Sequence, residues 1–253
     1  MKLLIKILLG IALYLVFLVV YMPANWLLSV APLPNNVSLT GVTGTLWQGR
    51  AAQVSFDKRS VEQVSWELSP WGLLLGRANI DFEIGNRNSL VNGRGYVSLS
   101  MSGIDAQDLR FEAPSGFLLA GARLPFRTRV NGDLSVVVEN FEQGKPWCEQ
   151  LVGRAFINGL DVSNQFGNYP LGNLNTGLSC EDGQIKLTVD EAANALGLSG
   201  TVLLAENNQV IVSAKIKPTD SQPDDLREAL VFLGKQDSQG YYAINYRGRI
   251  PGM

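Results

Sequence analysis

Histidine is absent from the 253-residue chain. That removes the commonest general base near neutral pH, the Ser-His-Asp and Cys-His nucleophile arrangements, and the commonest zinc ligand. Cysteine is nearly absent: Cys148 and Cys180 are the whole inventory, with no Cys-x-x-Cys spacing. Charge is scarce as well, at 17% of residues, below the usual quarter or so of a soluble domain. The 21 basic and 23 acidic side chains leave a formal net charge of -2, which argues against nucleic acid, because neutralising phosphates needs a basic surface. No Gly-Lys-Ser/Thr P-loop occurs, and "GRG" at Gly93–Gly95 lacks the third glycine of a dinucleotide fingerprint. The acids are scattered singly along polar faces. No catalytic, cofactor-binding or metal-ligating residue is nominated, and the expectation is a non-enzymatic protein without a cofactor.

What the chain does have is an apolar start, "MKLLIKILLGIALYLVFLVVYMPANWLL". After Lys6 the next charge is Arg50. The uncharged apolar run from Ile7 to Ala24, about 18 residues, is just long enough for a helix to span a hydrocarbon core of roughly 30 Å. Lys2 and Lys6 precede it, so the positive-inside rule leaves the N-terminus in the cytoplasm and sends the rest across the membrane. Tyr21 and Trp26 fit the aromatic belt at the far interface, and Pro23 fits the helix end. The expected boundaries are a cytoplasmic start at 1–6, a transmembrane anchor at 7–26, a linker at 27–36 around "APLPNN", and an exported domain at 37–253. The rival is a cleaved signal peptide, for which "SVA" at Ser29–Ala31 offers a small-x-small site. That site lies well beyond the apolar run, and Pro32 would follow the cut.

Export gives the two cysteines a meaning. In an oxidising compartment two lone cysteines are most simply one disulfide, Cys148–Cys180, which would stabilise by roughly 3–4 kcal/mol in the chain-entropy model. The alternative is a pair of buried free thiols.

Beyond the linker the pattern alternates with period two. Val64, Trp66 and Leu68 oppose Gln63, Ser65 and Glu67; Ala78, Ile80, Phe82 and Ile84 oppose Asn79, Asp81 and Glu83. The same alternation recurs around Leu99, Val136, Leu187, Val212 and Ile244. These read as antiparallel strands with one apolar face. "NGRG" at Asn92, "NGD" at Asn131, "EDGQ" at Glu181 and "ENNQ" at Glu206 read as hairpin turns. A loose "GRA-strand" recurrence suggests one sheet extended hairpin by hairpin.

Helix signals are few. "SPWGLLLG" supports one or two turns after Ser69, and "SQPDDLREALVFLG" supports a helix opened by Pro223 and closed by Gly234. Two short helices do not cover eight or more strands. The fold class is therefore mainly β: an antiparallel sheet, folded over as a sandwich or rolled into a half-pipe, or leaving a groove for an apolar ligand. Bulky Trp66, Phe82 and Met101 suggest a mostly self-packed interior. "GTLWQGRA" reads as the first core strand, with Trp47 inward and Arg50 paired with an acid or facing solvent. Trp71, on its turn, is the tryptophan expected to be exposed; it and Arg50 are the candidate partner surface.

The anchor, "GVTGTLWQGRA", "VSWELSPWGLLLGRANIDFEI", the cysteine-bearing segments "CEQLVGRAFINGLDV" and "GLSCEDGQIKLTVD", and the closing "ALVFLGKQDSQGYYAINYRGRI" together resemble the type II secretion system protein N family. The resemblance covers nearly the whole chain in order. It implies a single-pass inner-membrane protein of a Gram-negative bacterium with a periplasmic β domain. It also implies partners in the machine that exports folded proteins: the inner-membrane platform and periplasmic parts, including the outer-membrane secretin. The one-faced sheet also resembles the β-grooves of AsmA-like lipid-handling proteins, which makes a periplasmic lipid-binding or envelope-bridging module the alternative.

Overall fold

The computed structural model describes residues 2–26, 36–120, 127–165 and 167–249. The expected linker lies almost wholly outside the described residues, as do the "SVA" site and Pro32.

Helix α1 runs Lys2–Val20, 19 residues. It stops six residues short of the expected anchor end. Among the described residues no helix is long and apolar enough to cross a membrane. The physical shortfall is visible in α1: between Lys6 and the helix end lie about 14 uncharged residues, roughly 21 Å at 1.5 Å each. Every residue from Leu4 to Val20 is exposed.

Residues Tyr21 to Trp26 do not prolong α1. They form its joint with the sheet. Pro23 bridges Thr45, the Leu46 amide donates to the Met22 carbonyl at 3.0 Å, and Ala24 is buried.

Fourteen strands follow among the described residues: β1 (Val37–Thr40), β2 (Thr43–Gly44), β3 (Gln48–Phe56), β4 (Arg59–Leu68), β5 (Arg77–Ile84), β6 (Asn92–Ser100), β7 (Gly103–Pro114), β8 (Arg129–Gln143), β9 (Cys148–Asn164), β10 (Gly167–Glu181), β11 (Gln184–Val189), β12 (Leu198–Leu204), β13 (Gln209–Ile216) and β14 (Tyr242–Arg249). They form one antiparallel sheet in chain order from β3 to β14, with β1 and β2 both pairing β3. The ends β1 and β14 do not pair, so the sheet is open rather than a barrel. A sheet of this many strands is expected to curl.

Short helices connect some of the strands. They are α2 (Pro70–Leu74), α3 (Ser115–Leu118) and α4 (Asp224–Ala229), the last continued by a 3₁₀ turn at Leu230–Leu233. Helix α3 follows β7, yet Arg59 at the head of β4 donates to the Phe117 and Leu118 carbonyls at 3.0 and 2.6 Å. Three strand spacings on a flat sheet would separate β4 from β7 by about 14 Å, a distance that the Arg59 side chain and the return of α3 past the end of β7 cross together. Helix α4 lies between β13 and β14 in sequence and also touches β10.

The expected turns at Glu181 and Glu206 are present. Asp182 and Gly183, then Asn207 and Asn208, take positive φ as tight hairpins require. The other two are misplaced. Asn92 opens β6, and Asn131 lies inside β8, where Gly132 marks a register shift against β9. Gly at a bulge looks like Gly in a turn from sequence.

Candidate functional site

The apolar face is built from large residues lying over small ones on the neighbouring strand. Gly49 sits opposite Trp66 in the β3–β4 register, and a Cβ there would collide with the indole ring. Gly95 lies under Leu109 in the same way. The Trp66 Nε1 donates to the Leu46 carbonyl at 3.1 Å, so the ring is fixed by a hydrogen bond at one side and a glycine floor beneath.

Val64, Ile84, Phe111, Val136 and Val212 on this face are half-buried rather than buried. Cys148 is the one fully buried side chain of any size among the described residues, at 1% exposure. Among the described residues a buried hydrophobic cluster is found near the last strands, where Leu230 packs on Ile216 and Tyr242. The mostly self-packed interior expected from Trp66, Phe82 and Met101 is therefore not found. Met101 stands fully exposed in the β6–β7 turn, because β6 ends one residue before it. The packing is lateral, along one layer, and not between two layers.

On the other face, β3 to β7 enclose an open trough of about 1030 Å³. Arg50, Arg94 and Arg110 line it among Glu67, Asp81, Glu83 and Asp108. Arg50 is exposed and faces Ser65 across the ladder, not an acid. Two cross-strand pairs in the trough oppose like charges, Glu67 with Asp81 and Arg94 with Arg110, while Arg94 faces Glu83 on its other side. Directly opposed like charges destabilise a sheet. Among the described residues no group of three or more His, Cys, Asp or Glu is arranged to hold a metal ion.

Cys148 and Cys180 form a disulfide that closes the β9–β10 hairpin at its open end. Beside it the Trp147 Nε1 donates to the Ala205 carbonyl at 2.9 Å, tying this end of β9 to the β12–β13 turn. Near the last strand, Lys217 pairs with Glu191, and the Tyr241 hydroxyl donates to Glu191 at 2.7 Å. Hydrogen bonds from Lys217 first and Tyr241 second hold the Glu191 carboxyl below its ordinary range. The same contact with Glu191 raises Lys217.

The sequence-nominated interface residues fall at two places. Lys2 and Lys6 lie in the first two turns of α1. Tyr21 and Trp26 are exposed at its joint with the sheet. Trp71 is exposed on α2, as expected. Trp47 does not pack into the sheet: it precedes β3, and its Nε1 donates to the Val19 carbonyl at 3.0 Å. It locks the helix to the sheet, a role no local pattern reveals, since its partner is 28 residues away.

The profile of the family described as type II secretion system (T2SS), protein N matches residues 35–245. A type II secretion system protein N from Aeromonas hydrophila is 35% identical over 240 residues, 94% of each chain. One from Vibrio cholerae serotype O1 is 30% identical over 233 residues, 92% of each chain, and one from Pectobacterium carotovorum is 23% identical over 253 residues. No solved structure matches the chain.

Proposed function

The chain belongs to the type II secretion system protein N family, and from that premise we propose a non-enzymatic, inner-membrane-anchored component that acts in the periplasm through protein contacts. Residues 1–6 are cytoplasmic, residues 7–26, the rest of α1 with its joint, form the anchor, 27–36 is the linker, and 37–253 is the periplasmic domain. Lys2 and Lys6 support this orientation by their place at the start of the chain, on the cytoplasmic side under the positive-inside rule. The Cys148–Cys180 bridge supports an oxidising compartment.

The observation that carries the contact reading is the charged trough. Arg94 against Arg110, partly offset by Glu83 on the other side of Arg94, and Glu67 against Asp81 cost stability in the isolated chain. A partner with complementary charges recovers that cost and gains specificity and on-rate. Arg50 belongs to this surface. The partners are components of the same machine, in the inner-membrane platform or the periplasmic part of the secretin.

The test is charge reversal at Arg94 and Arg110. Arg110→Glu replaces a like-charged pair by an opposite one, so thermal stability is expected to hold or rise while secretion of a folded substrate falls. A photocrosslinker at Tyr96, inside the trough, is expected to capture a secretion component. Normal secretion by a folded Arg94→Glu/Arg110→Glu protein would sink the reading.

A second reading rests on the half-buried apolar face: it binds the acyl chain of a phospholipid. Stoichiometric phospholipid in native mass spectra, lost in a folded Val136→Asp protein, would favour it; its absence would remove it.

A further inference from the structure

We propose that the sheet end joined to α1 dips into the lipid bilayer, with Trp71, Leu74, Leu75 and Met101 inserted beside the mouth of the helix. This goes beyond the protein-contact reading and rests on α1 being the membrane anchor.

In an antiparallel meander every second turn lies at the same end. The end that receives α1 carries the turns after β4, β6, β8, β10 and β12. The two nearest α1 are apolar and bare. Trp71, Leu74 and Leu75 are 75%, 77% and 82% exposed, and Met101 is 103% exposed. No charge occurs from Leu68 to Gly76. The turns farther along the same end expose Lys145 and Pro146 beside a half-buried Trp147 tied to the Ala205 carbonyl, then Asp182 with Gly183, and Asn207 with Asn208. One end of one sheet thus changes from apolar to polar with distance from the helix.

The apolar turns are wired to α1. The Trp47 indole bonds the Val19 carbonyl, and the Trp47 carbonyl accepts from the Leu68 amide at 2.7 Å. Two residues beyond Leu68, α2 begins. Its Gly72 is buried against Asn79 and the Arg77 carbonyl, and the Ser69 amide donates to the Asn79 carbonyl at 2.9 Å. The helix is therefore seated on β5 by its glycine, which leaves Trp71 and the leucines pointing away from the sheet. Ser100 pairs with Arg77, so the Met101 turn stands next to the exit of α2.

Lipid is the occupant that these observations select. The patch continues the surface of an apolar helix exposed all round. It places a tryptophan at the interface and an exposed Arg77 just behind it, where an anionic headgroup would lie. It also extends the apolar belt of a helix whose uncharged part is short of the hydrocarbon thickness.

The test uses the full-length protein, in which the native cysteines are bridged and only an introduced thiol reacts. Phe17→Cys, Leu74→Cys, Met101→Cys and Asn207→Cys are each labelled with a small fluorophore. They are then reconstituted in phosphatidylethanolamine–phosphatidylglycerol vesicles with or without brominated acyl chains. Bromolipid quenching at positions 74 and 101 is expected to exceed that at 207 several-fold, with 17 quenched as well. Quenching at 74 and 101 no greater than at 207 overturns the rim, and with 17 still quenched it leaves the anchor standing and assigns the exposed turns to a protein partner. Quenching at 74 and 101 without any at 17 removes the anchor and with it the proposal, leaving the exposed turns as a peripheral lipid contact.

Discussion

Removing the disulfide by Cys148→Ala with Cys180→Ala tests what holds the middle of the sheet. The bridge closes a loop with sequence separation 32. In the chain-entropy model, cross-linking a loop of this length removes about 12 cal/mol/K from the unfolded chain, or about 3.7 kcal/mol at 25 °C. The cysteine at position 148 is also the most buried side chain of its size, at 1% exposure. Exchanging its sulfur for hydrogen leaves a void costing about 1 kcal/mol more. Residual structure in the denatured chain pulls the total down. The expected loss is about 3–4 kcal/mol, measured by urea unfolding of the full chain in detergent, as a lower midpoint. The location makes the loss structural as well as entropic. The Trp147 and Cys148 amides both donate to the Gly183 carbonyl, at 3.0 and 3.2 Å, so the bridge sits where three hairpins meet. A loss under about 1 kcal/mol, or alkylation of both thiols without prior reduction, would refute the reasoning.

Two further outcomes follow from the packing and the charges. Gly49→Val is expected to destabilise by about 1–3 kcal/mol, because the new side chain must displace the Trp66 ring that covers the glycine; a wild-type melting temperature would refute the lateral-packing account. Glu191 has its pKa lowered from an ordinary 4.5, chiefly by Lys217. A depressed carboxyl contributes stability above its unfolded pKa and loses it as pH falls through the folded value. The melting temperature of Glu191→Gln is therefore expected to fall less than wild type's below about pH 4.5, and parallel curves would refute the linkage. The raised pKa of Lys217 acts at the other end, its contribution being complete below 10.5 and lost only as pH rises through the folded value.

The sheet was legible in the sequence because alternation depends on nearest neighbours. Val64, Trp66 and Leu68 lie on one face of β4, and α2 and α4 start within a residue of their Pro70 and Pro223 signals. The places where alternation slips were not legible. Gln63 and Asp108 take positive φ inside strands, and Glu62 and Gln107 beside them are exposed with them. Neither residue is glycine, so nothing local marks the bulge. Helix α3 has no local signal for a similar reason: it carries no side-chain cap and is held by Arg59, which lies 58 residues before Phe117. Of the candidate surface, Trp71 was readable as exposed. Its neighbours in space were not, because pairing Arg94 with Arg110 requires the register of β6 against β7. The joint at Pro23 and Trp47 likewise exists only once β2 and β3 are placed beside the helix end.

A sheet packed sideways has consequences for how this protein holds together. Each strand contacts mainly its sequence neighbours, so stability approximates a sum of hairpin terms, as in repeat proteins. Such an array has no single core whose loss unfolds everything at once, and its weak points are the ends. One end is fastened by the helix joint at Pro23 and Trp47. The other is fastened by α4 and its 3₁₀ turn, which bury Leu230 on Ile216 and Tyr242, and by the Glu191–Lys217–Tyr241 cluster. The middle is pinned by the disulfide. Between these fasteners the apolar face packs sideways, as Trp66 does over Gly49, and leaves the opposite face and the turns free of a second layer. That freedom allows one face to carry opposed like charges and the turns at one end to carry bare apolar side chains, neither of which a compact two-layer domain would tolerate at the same cost.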